Sequence, residues 1–206
     1  MASDPARLVV ELQEMGIPRG PILDAVRYVP RPAFVPPAER KHSWENRPLP
    51  IGSGQTISQP YTVAYMLQLA GVGSSGRVLE VGCGSGYAAA LMAYVVGDMG
   101  TVTALEIVPR LAVQAAETLR KIGLARVQVI QGDGRHGYPP RAPYDSIIVS
   151  AQAPEVPPAL LEQLAEGGSL VMPVGEGGSS SMTRIVRRKG GFERTHHGPY
   201  AFVPLV

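Results

Sequence analysis

The chain has 206 residues, 45% of them hydrophobic, and a formal net charge of +2 at pH 7. This length suits one domain with a substantial core, and so small a charge argues against a nucleic-acid partner held by electrostatics alone. The opening MASDPARLVVEL contains an early acid and no long apolar run, so we expect neither a signal peptide nor a membrane anchor. The single cysteine, Cys83, excludes an intrachain disulfide and favours a cytoplasmic protein.

The first 70 residues differ in character from the rest. They predict amphipathic helices over 6–15 and 20–29, a turn-rich segment over 31–60, and a further helix over 62–72. Thirty residues without clear periodicity inside a compact protein are more often functional than incidental. We therefore interpret the turn-rich segment as a lid or binding loop.

From residue 77 onward, short apolar runs alternate with longer helical patterns. The predicted strands are 77–81, 101–107, 127–131, 144–150 and 169–174, and the predicted helices are 87–96, 109–123 and 157–168. This alternation is typical of an α/β protein with a doubly wound, Rossmann-like, mostly parallel sheet joined by right-handed crossovers. In such a fold, ligands bind at the carboxyl ends of the strands.

The C-terminal part predicts a loop over 175–181 and then a hairpin around a Lys-Gly-Gly turn at 189–191, followed by a short closing run. These strands would make the far edge of the sheet antiparallel or mixed. We expect a single domain over 1–206. It would consist of an N-terminal extension over 1–70, a cofactor-binding core over 71–175 and C-terminal strands over 176–206.

The run VLEVGCGSGY, residues 78–87, combines a strand, an acid and three glycines at alternate positions. Glycines permit positive φ or a close approach of the backbone to a ligand. The dinucleotide pattern G-x-G-x-x-G would need glycine at position 87, where this chain has Tyr87. The loop resembles the E/D-x-G-x-G-x-G loop of S-adenosylmethionine-dependent methyltransferases, with Glu80 as the acid.

Three acids lie at or just after the ends of successive predicted strands. Glu80 is placed to meet the cofactor's amino group, Glu106 to accept from both ribose hydroxyls, and Asp133 to accept from the adenine amino group. One such acid alone is usually just solvated, but three behind a glycine loop predict a cofactor site. The predicted cofactor-binding residues are Glu80, Gly82, Cys83, Gly84, Ser85, Gly86, Glu106, Ile107, Gly132, Asp133 and Gly134.

Other chemistries find little support in the sequence. Cys83 has no histidine or second cysteine nearby, so we interpret it as a small residue tolerated among glycines and not as a reactive thiol. The four histidines show no metal-ligand spacing, and no metal is expected. Ser85 lies in G-C-G-S-G-Y, which is not the G-x-S-x-G of a hydrolase nucleophile elbow.

The segment RPLPIGSGQTISQPYTVAYM, residues 47–66, resembles the protein-L-isoaspartate O-methyltransferase family, whose signature is Pro-Leu-Pro-Ile-Gly followed by G-x-T-I-S and a proline. The residues over 31–37, 132–175 and 202–205 resemble the same family. The resemblance therefore covers almost the whole chain.

The resemblance implies methyl transfer from S-adenosylmethionine to the α-carboxylate of L-isoaspartyl, and some D-aspartyl, residues in damaged proteins and peptides, with S-adenosylhomocysteine as product. The ester then closes to a succinimide, whose reopening restores some normal aspartate. A carboxylate with a pKa of about 4 is already ionised at neutral pH, so no general base is required. Alignment of the reacting atoms can contribute up to roughly 7 to 11 kcal/mol.

The resemblance also implies roles for individual residues. Ser58 would hold the substrate carboxylate, and Gln55, Thr56 and Ile57 would shape the same turn. On its own, Ser58 would be interpreted as an N-cap of the helix that follows. A further substrate-binding candidate is Tyr61, which stands where some family members have histidine and whose main-chain N–H could make the contact. Phe202 and Val203 are candidates for lining the peptide channel, with packing in the core at an edge strand as the alternative.

Several alternatives remain at this point. A methyltransferase acting on a small molecule or nucleic acid is possible, although SAQAP at 150–154 is not the N/D-P-P-Y of adenine N6 enzymes, and no Pro-Cys pair offers a cytosine C5 nucleophile. A metal-dependent catechol type would need clustered acids. A non-catalytic cofactor-binding module and an NAD enzyme come from other classes. We expect a monomer, because no long exposed apolar segment stands out.

Overall fold

The computed structural model describes residues 4–176 and 179–206. The N-terminal extension begins with helix α1 (Pro5–Glu14), whose N-cap Asp4 accepts a hydrogen bond from the main-chain N–H of Arg7 at 2.9 Å. Helix α2 (Pro21–Tyr28) follows, and both helices begin with proline, which suits the first turn of a helix. Each buries one apolar face, as the amphipathic pattern predicts.

The turn-rich segment contains more regular structure than its sequence predicts. Two 3₁₀ turns (Arg31–Phe34 and Pro37–His42) lead into a hairpin of strands β1 (Leu49–Gly52) and β2 (Gln55–Ile57). The strands contain four and three residues, which is too short for a period-2 pattern to be recognised. Helix α3 (Pro60–Leu69) then leads to the main sheet.

The remaining elements form one seven-stranded sheet and the helices that cover it. In chain order they are β3 (Arg77–Val81), α4 (Tyr87–Val96), β4 (Thr101–Glu106), α5 (Pro109–Lys121), β5 (Gln128–Gln131), β6 (Tyr144–Val149), α6 (Pro158–Glu162), β7 (Leu164–Glu176), β8 (Ser179–Arg188) and β9 (Gly191–Tyr200). The strand order is β5-β4-β3-β6-β7-β8-β9. Strands β3 to β7 run parallel to one another. Strand β8 pairs antiparallel with β7, and β9 pairs antiparallel with β8. The doubly wound fold and its antiparallel C-terminal strands are thus confirmed.

The boundary between α6 and β7 differs from the prediction. A helix was expected over 157–168, but α6 ends at Glu162 and β7 begins at Leu164. Gly167 has φ +78°, and a Cβ on Gly168 would lie 2.9 Å from the carbonyl oxygen of Tyr144, so this backbone follows the sheet instead of continuing a helix. Pairing with β6 outweighs the local helical pattern.

The predicted loop over 175–181 is largely replaced by strand. Strand β7 runs to Glu176 and β8 starts at Ser179, while residues 177–178 of that loop lie outside the described residues. The predicted hairpin around 189–191 is confirmed, since β8 and β9 pair across that turn.

The direction of winding changes at β3. From β3 the chain proceeds to β4 and β5 on one side and later returns through β6 on the other. A crevice therefore opens beyond the carboxyl ends of β3 and β6, which is where ligands bind in sheets of this type. The alanine-rich α4, nearly all of it buried, fixes the glycine loop above this crevice.

Candidate active site

A cavity occupies this crevice, between the β1–β2 hairpin and the C-terminal tail. Its walls come from the hairpin, the glycine loop, the ends of β4 to β6 and the last four residues. The lining residues are Gln55, Thr56, Ile57, Ser58, Val63, Glu80, Val81, Gly82, Cys83, Gly84, Ser85, Tyr87, Ala88, Leu105, Glu106, Ile107, Val108, Gly132, Gly134, Ser150, Ala151, Val203, Pro204, Leu205 and Val206.

The cavity brings together most of the residues predicted from the sequence for cofactor and for substrate. Four predicted residues are not among its lining residues: Tyr61, Gly86, Asp133 and Phe202. The lining residues that sequence reasoning missed include Ser150, Ala151 and the tail beyond Val203. The position of SAQAP directly after a predicted strand was the one available signal for the first two.

The glycine loop is shaped by hydrogen bonds to the neighbouring strand. The main-chain N–H groups of Gly82 and Cys83 both donate to the carbonyl oxygen of Leu105, at 2.9 and 3.0 Å. Gly82, Gly84 and Gly86 all have positive φ, which an L-residue with a side chain rarely adopts. The alternate glycines are therefore required by the turn itself, before any ligand is considered.

Glu106, at the end of β4, ties this loop to the next one. Its Oε2 accepts from the Gly84 N–H at 2.7 Å, and its Oε1 accepts from the Val108 N–H at 2.9 Å. A carboxylate offers about four acceptor sites, so each oxygen retains capacity for a ligand hydroxyl. This arrangement fits the predicted contact with a ribose diol, which stays a prediction.

Glu80, at the end of β3, is 1% exposed, and within the described residues its Oε2 has no hydrogen-bond partner. Burial, followed by the negative charge of Glu106, raises the pKa of Glu80 to about 8, against smaller lowering effects of Ser150 and the Ala89 N–H. A buried acceptor with an open position on the cavity wall suits a cationic ligand, whose charge would favour the ionised carboxylate. The residues present therefore fit S-adenosylmethionine, which carries an ammonium and a sulfonium.

Cys83 is buried within the loop and is not activated. Burial first, and then the charges of Glu80 and Glu106, raise the pKa of its thiol well above the usual value. A protonated thiol is a poor nucleophile. The structure thus agrees with the interpretation of Cys83 as a small residue tolerated in the turn.

Asp133 turns toward its own segment. It caps the short turn Gly134–His136 by accepting from the Arg135 N–H at 2.9 Å, and it pairs with the Arg135 guanidinium at 2.7 Å. The Arg135 hydrogen bond lowers the pKa of Asp133. Its predicted contact with adenine stays a prediction, and the carboxylate would have to share its acceptor sites with Arg135.

Ser58 follows β2 and lies on the cavity wall. The helix α3 begins at Pro60 with Gln59 as N-cap and has no side-chain cap hydrogen bond, so the interpretation of Ser58 as a capping residue is wrong. The Tyr61 main-chain N–H, considered as a substrate contact, instead donates to Asn46 Oδ1 at 3.0 Å. Asn46 also accepts at its carbonyl from Gln59 Nε2 at 3.0 Å, which anchors the start of α3.

The C-terminal tail forms part of the cavity wall. The Gln152 N–H donates to the Val203 carbonyl at 2.8 Å, and the Leu205 N–H donates to the Gln152 carbonyl at 2.7 Å. Phe202 packs against the main hydrophobic core, whereas Val203 lines the cavity. Phe202 thus has the core role that was one of the two alternatives, whereas a contact of Val203 with a bound peptide stays a prediction.

In the part of the chain that the structure describes, no helix has the length and apolar character needed to cross a membrane. No group of three or more His, Cys, Asp or Glu side chains comes together in these residues as a metal ion would require.

The site combines a glycine loop after β3 of a doubly wound sheet, carboxylates at the ends of β3 and β4, and a cavity that suits a cation. These features define an S-adenosylmethionine-dependent methyltransferase of class I. The sequence model of the protein-L-isoaspartate(D-aspartate) O-methyltransferase family matches residues 3–206. The chain belongs to this family.

Individual relatives agree with that assignment. The chain is 43% identical to a protein-L-isoaspartate O-methyltransferase of Methanoculleus marisnigri, over all of this chain and 95% of the relative. A solved protein-L-isoaspartate O-methyltransferase is 27% identical with a TM-score of 0.89, covering 97% of this chain and 65% of that one. A Plasmodium falciparum protein assigned to the same activity, solved with S-adenosyl-L-homocysteine, is 24% identical with a TM-score of 0.87 over 98% of both chains, and it shares the fold.

Proposed function

We propose that this protein transfers a methyl group from S-adenosylmethionine to the α-carboxylate of L-isoaspartyl residues in damaged proteins and peptides, as a repair enzyme. The observation that carries the proposal is that the Gln55–Ser58 segment and the Glu80–Ser85 loop line one cavity. Substrate-binding and cofactor-binding residues predicted from separate motifs thus face the same space. Membership of the family supports the same activity.

Glu80, the glycine loop and Glu106 would hold the cofactor, with Glu80 toward its cationic end and Glu106 toward its ribose. When bound, S-adenosylmethionine supplies a methyl group whose bond to sulfur breaks as a bond to the carboxylate oxygen forms, leaving S-adenosylhomocysteine. The protein has no proton to remove, because the attacking carboxylate is already ionised at neutral pH. The residues around the cavity therefore act by placement and by their electrostatic environment.

Ser58 would orient the attacking carboxylate through its hydroxyl and main-chain N–H. The C-terminal tail over 203–206 and the hairpin both line the cavity, and a bound substrate held between them would exclude water from the reacting atoms. A dry site favours a step in which an anion and a cation neutralise each other, since water stabilises the separate charges better than their neutral products.

The test uses labelled S-adenosylmethionine and two peptides that differ only in carrying isoaspartyl or normal aspartyl at one position. We expect base-labile label in the isoaspartyl peptide alone. Equal labelling of both peptides would point to another carboxyl methyltransferase specificity. Absence of label, with S-adenosylhomocysteine still bound, would point to a binding module.

Finer points of the proposal extend to substrate range and cellular setting. We include some D-aspartyl sites among the substrates, a monomeric protein, a cytoplasmic location and no nucleic-acid or membrane partner. Analytical ultracentrifugation tests the monomeric state directly, and a single species of about the mass of one chain is expected.

A further inference from the structure

The side chain of Arg31, in the first 3₁₀ turn, is completely buried. Within the described residues, no carboxylate approaches it within the 4 Å of an ion pair. A guanidinium stays cationic in proteins, so a full positive charge lies in the interior without a counterion. Such a charge is costly to bury, and an apolar side chain of similar length would fill the same volume without that cost.

The contacts of Arg31 join three separate segments. Its Nε donates to the Ser43 carbonyl at 2.8 Å, and its Nη2 donates to the Ser58 carbonyl at 2.9 Å. Its guanidinium carbon lies 4.6 Å from the ring centroid of Tyr87, close enough for a cation–π contact. Tyr87 opens α4 directly after the glycine loop and lines the cavity.

Arg31 thus connects the residue that would hold the substrate with the wall of the cofactor cavity. A hydrogen bond to the Ser58 carbonyl restricts the peptide plane that follows Ser58 and hence the main-chain conformation from which its side chain projects. The Nη1 of the same guanidinium has no hydrogen-bond partner among the described residues, so its positive field is opposed by two carbonyl dipoles and the Tyr87 side chain but by no carboxylate within 4 Å. In the low-dielectric interior this field extends further than at a surface.

We propose that Arg31 is a positioning residue for the reaction. It fixes Ser58 against the cofactor wall, and its buried charge favours an anionic group, the substrate carboxylate, in front of Ser58. This inference rests on the proposed function, because it takes the isoaspartyl carboxylate as the group that Ser58 holds. It adds a source of positive potential behind a site whose lining, among the described residues, includes two acids and no basic side chain.

The test compares Arg31→Met and Arg31→Lys with Arg27→Met, which removes an exposed arginine from α2 and thus the same formal charge. Two binding measurements, in which no methyl group is transferred, are needed. One is the affinity for S-adenosylhomocysteine, and the other compares the affinities for two peptides that differ only in an isoaspartyl α-carboxylate or α-carboxamide. Steady-state turnover of the isoaspartyl peptide is the third.

We expect the Arg31→Met protein to bind the carboxylate peptide about 10- to 100-fold more weakly, the range for a lost interaction with a charged group. Its affinity for the carboxamide peptide and for S-adenosylhomocysteine should stay within about threefold. Arg31→Lys, which keeps the charge but not the fork of donors, should retain preference for the carboxylate while losing turnover. Arg27→Met should behave as wild type.

Equal weakening toward both peptides would overturn the inference, because it would mean a purely structural role. Unchanged turnover in Arg31→Met would overturn it as well. If Arg31→Met does not fold, Arg31→Lys decides: wild-type turnover contradicts the inference, and selective loss of turnover supports it. If the wild-type protein itself fails to methylate the isoaspartyl peptide, it is the proposed function that fails.

Discussion

The glycine loop and the Gln55–Ser58 segment face the same cavity, yet they are held in different ways. The glycine loop is bonded to Leu105 and Glu106 on the adjacent strand, so sheet pairing between β3 and β4 fixes it. The Ser58 segment ends a short two-stranded hairpin and depends on the side chains of Arg31 and Asn46, contributed by the irregular chain before it. The cofactor side is thus held from within the main sheet, by main-chain pairing and by Glu106 on β4, whereas the substrate side is held by side chains from outside that sheet.

The largest expected effect concerns Glu80 on the cofactor side, whose burial makes the stability of the folded protein depend on pH. Because the folded pKa of Glu80, about 8, lies above its usual value near 4.5, folding favours the protonated carboxyl. Between these two pH values the unfolded chain loses a proton that the folded protein keeps. Cofactor-free protein should therefore lose stability as the pH rises through this window, by at most about 5 kcal/mol.

Glu80→Gln removes this titration. Thermal unfolding of the cofactor-free variant should occur at a higher temperature than that of wild type at pH 8, and at a similar temperature at pH 5. Glu166→Gln, at an exposed position, is the matched control and should change neither. A variant less stable than wild type at pH 8 would show that Glu80 is ionised and satisfied without a ligand.

A second prediction breaks the substrate side alone. Ser58→Ala should lower kcat/KM for an isoaspartyl peptide by about 100- to 1000-fold, as for loss of a donor that orients the reacting group. Affinity for S-adenosylhomocysteine, measured by calorimetry, should be unchanged. Ser74→Ala, at an exposed serine, provides the control. Full turnover in Ser58→Ala would remove Ser58 from the mechanism.

A third prediction breaks the cofactor side. Glu106→Gln replaces one carboxylate oxygen by an NH2 group, which cannot accept, so the hydrogen bond from either the Gly84 N–H or the Val108 N–H is lost. We expect S-adenosylhomocysteine to bind about 10- to 100-fold more weakly, the usual cost of losing hydrogen bonds to a charged group. Circular dichroism should show an intact fold. Wild-type affinity in this variant would mean that the loop keeps its shape without the carboxylate.

The smallest effect is expected at Asp133. Its carboxylate already serves Arg135, so Asp133→Asn should weaken S-adenosylhomocysteine binding only about 3- to 10-fold, as for one partly exposed hydrogen bond. Arg135→Met, which frees the carboxylate, should not weaken binding. A loss at Asp133 as large as that at Glu106 would contradict this ranking and make the contact with adenine a principal one.

The predicted elements were most accurate where one local pattern decided the structure. The strand over 77–81 and the helix over 87–96 have the predicted bounds, because a short apolar run and an alanine-rich stretch are separated by glycines that only a turn explains. The helix over 157–168 was wrong in its second half, since pairing of β7 with β6 is a contact between residues distant in sequence. The hairpin over 49–57 was not predicted, because its strands contain only four and three residues.

The same distinction applies to the site. The sequence by itself determined the glycine loop and the acids at the ends of three strands, because each is specified by residue types at a fixed spacing, whereas it indicated the Ser58 segment only through the family resemblance. Only the tertiary structure decided that Arg31 donates to the Ser58 carbonyl, that Asn46 accepts from the Tyr61 N–H, and that the tail over 203–206 lines the cavity. These contacts join residues that are distant in sequence, so no local pattern specifies them. The partners of a buried guanidinium can be identified only from the folded chain around it.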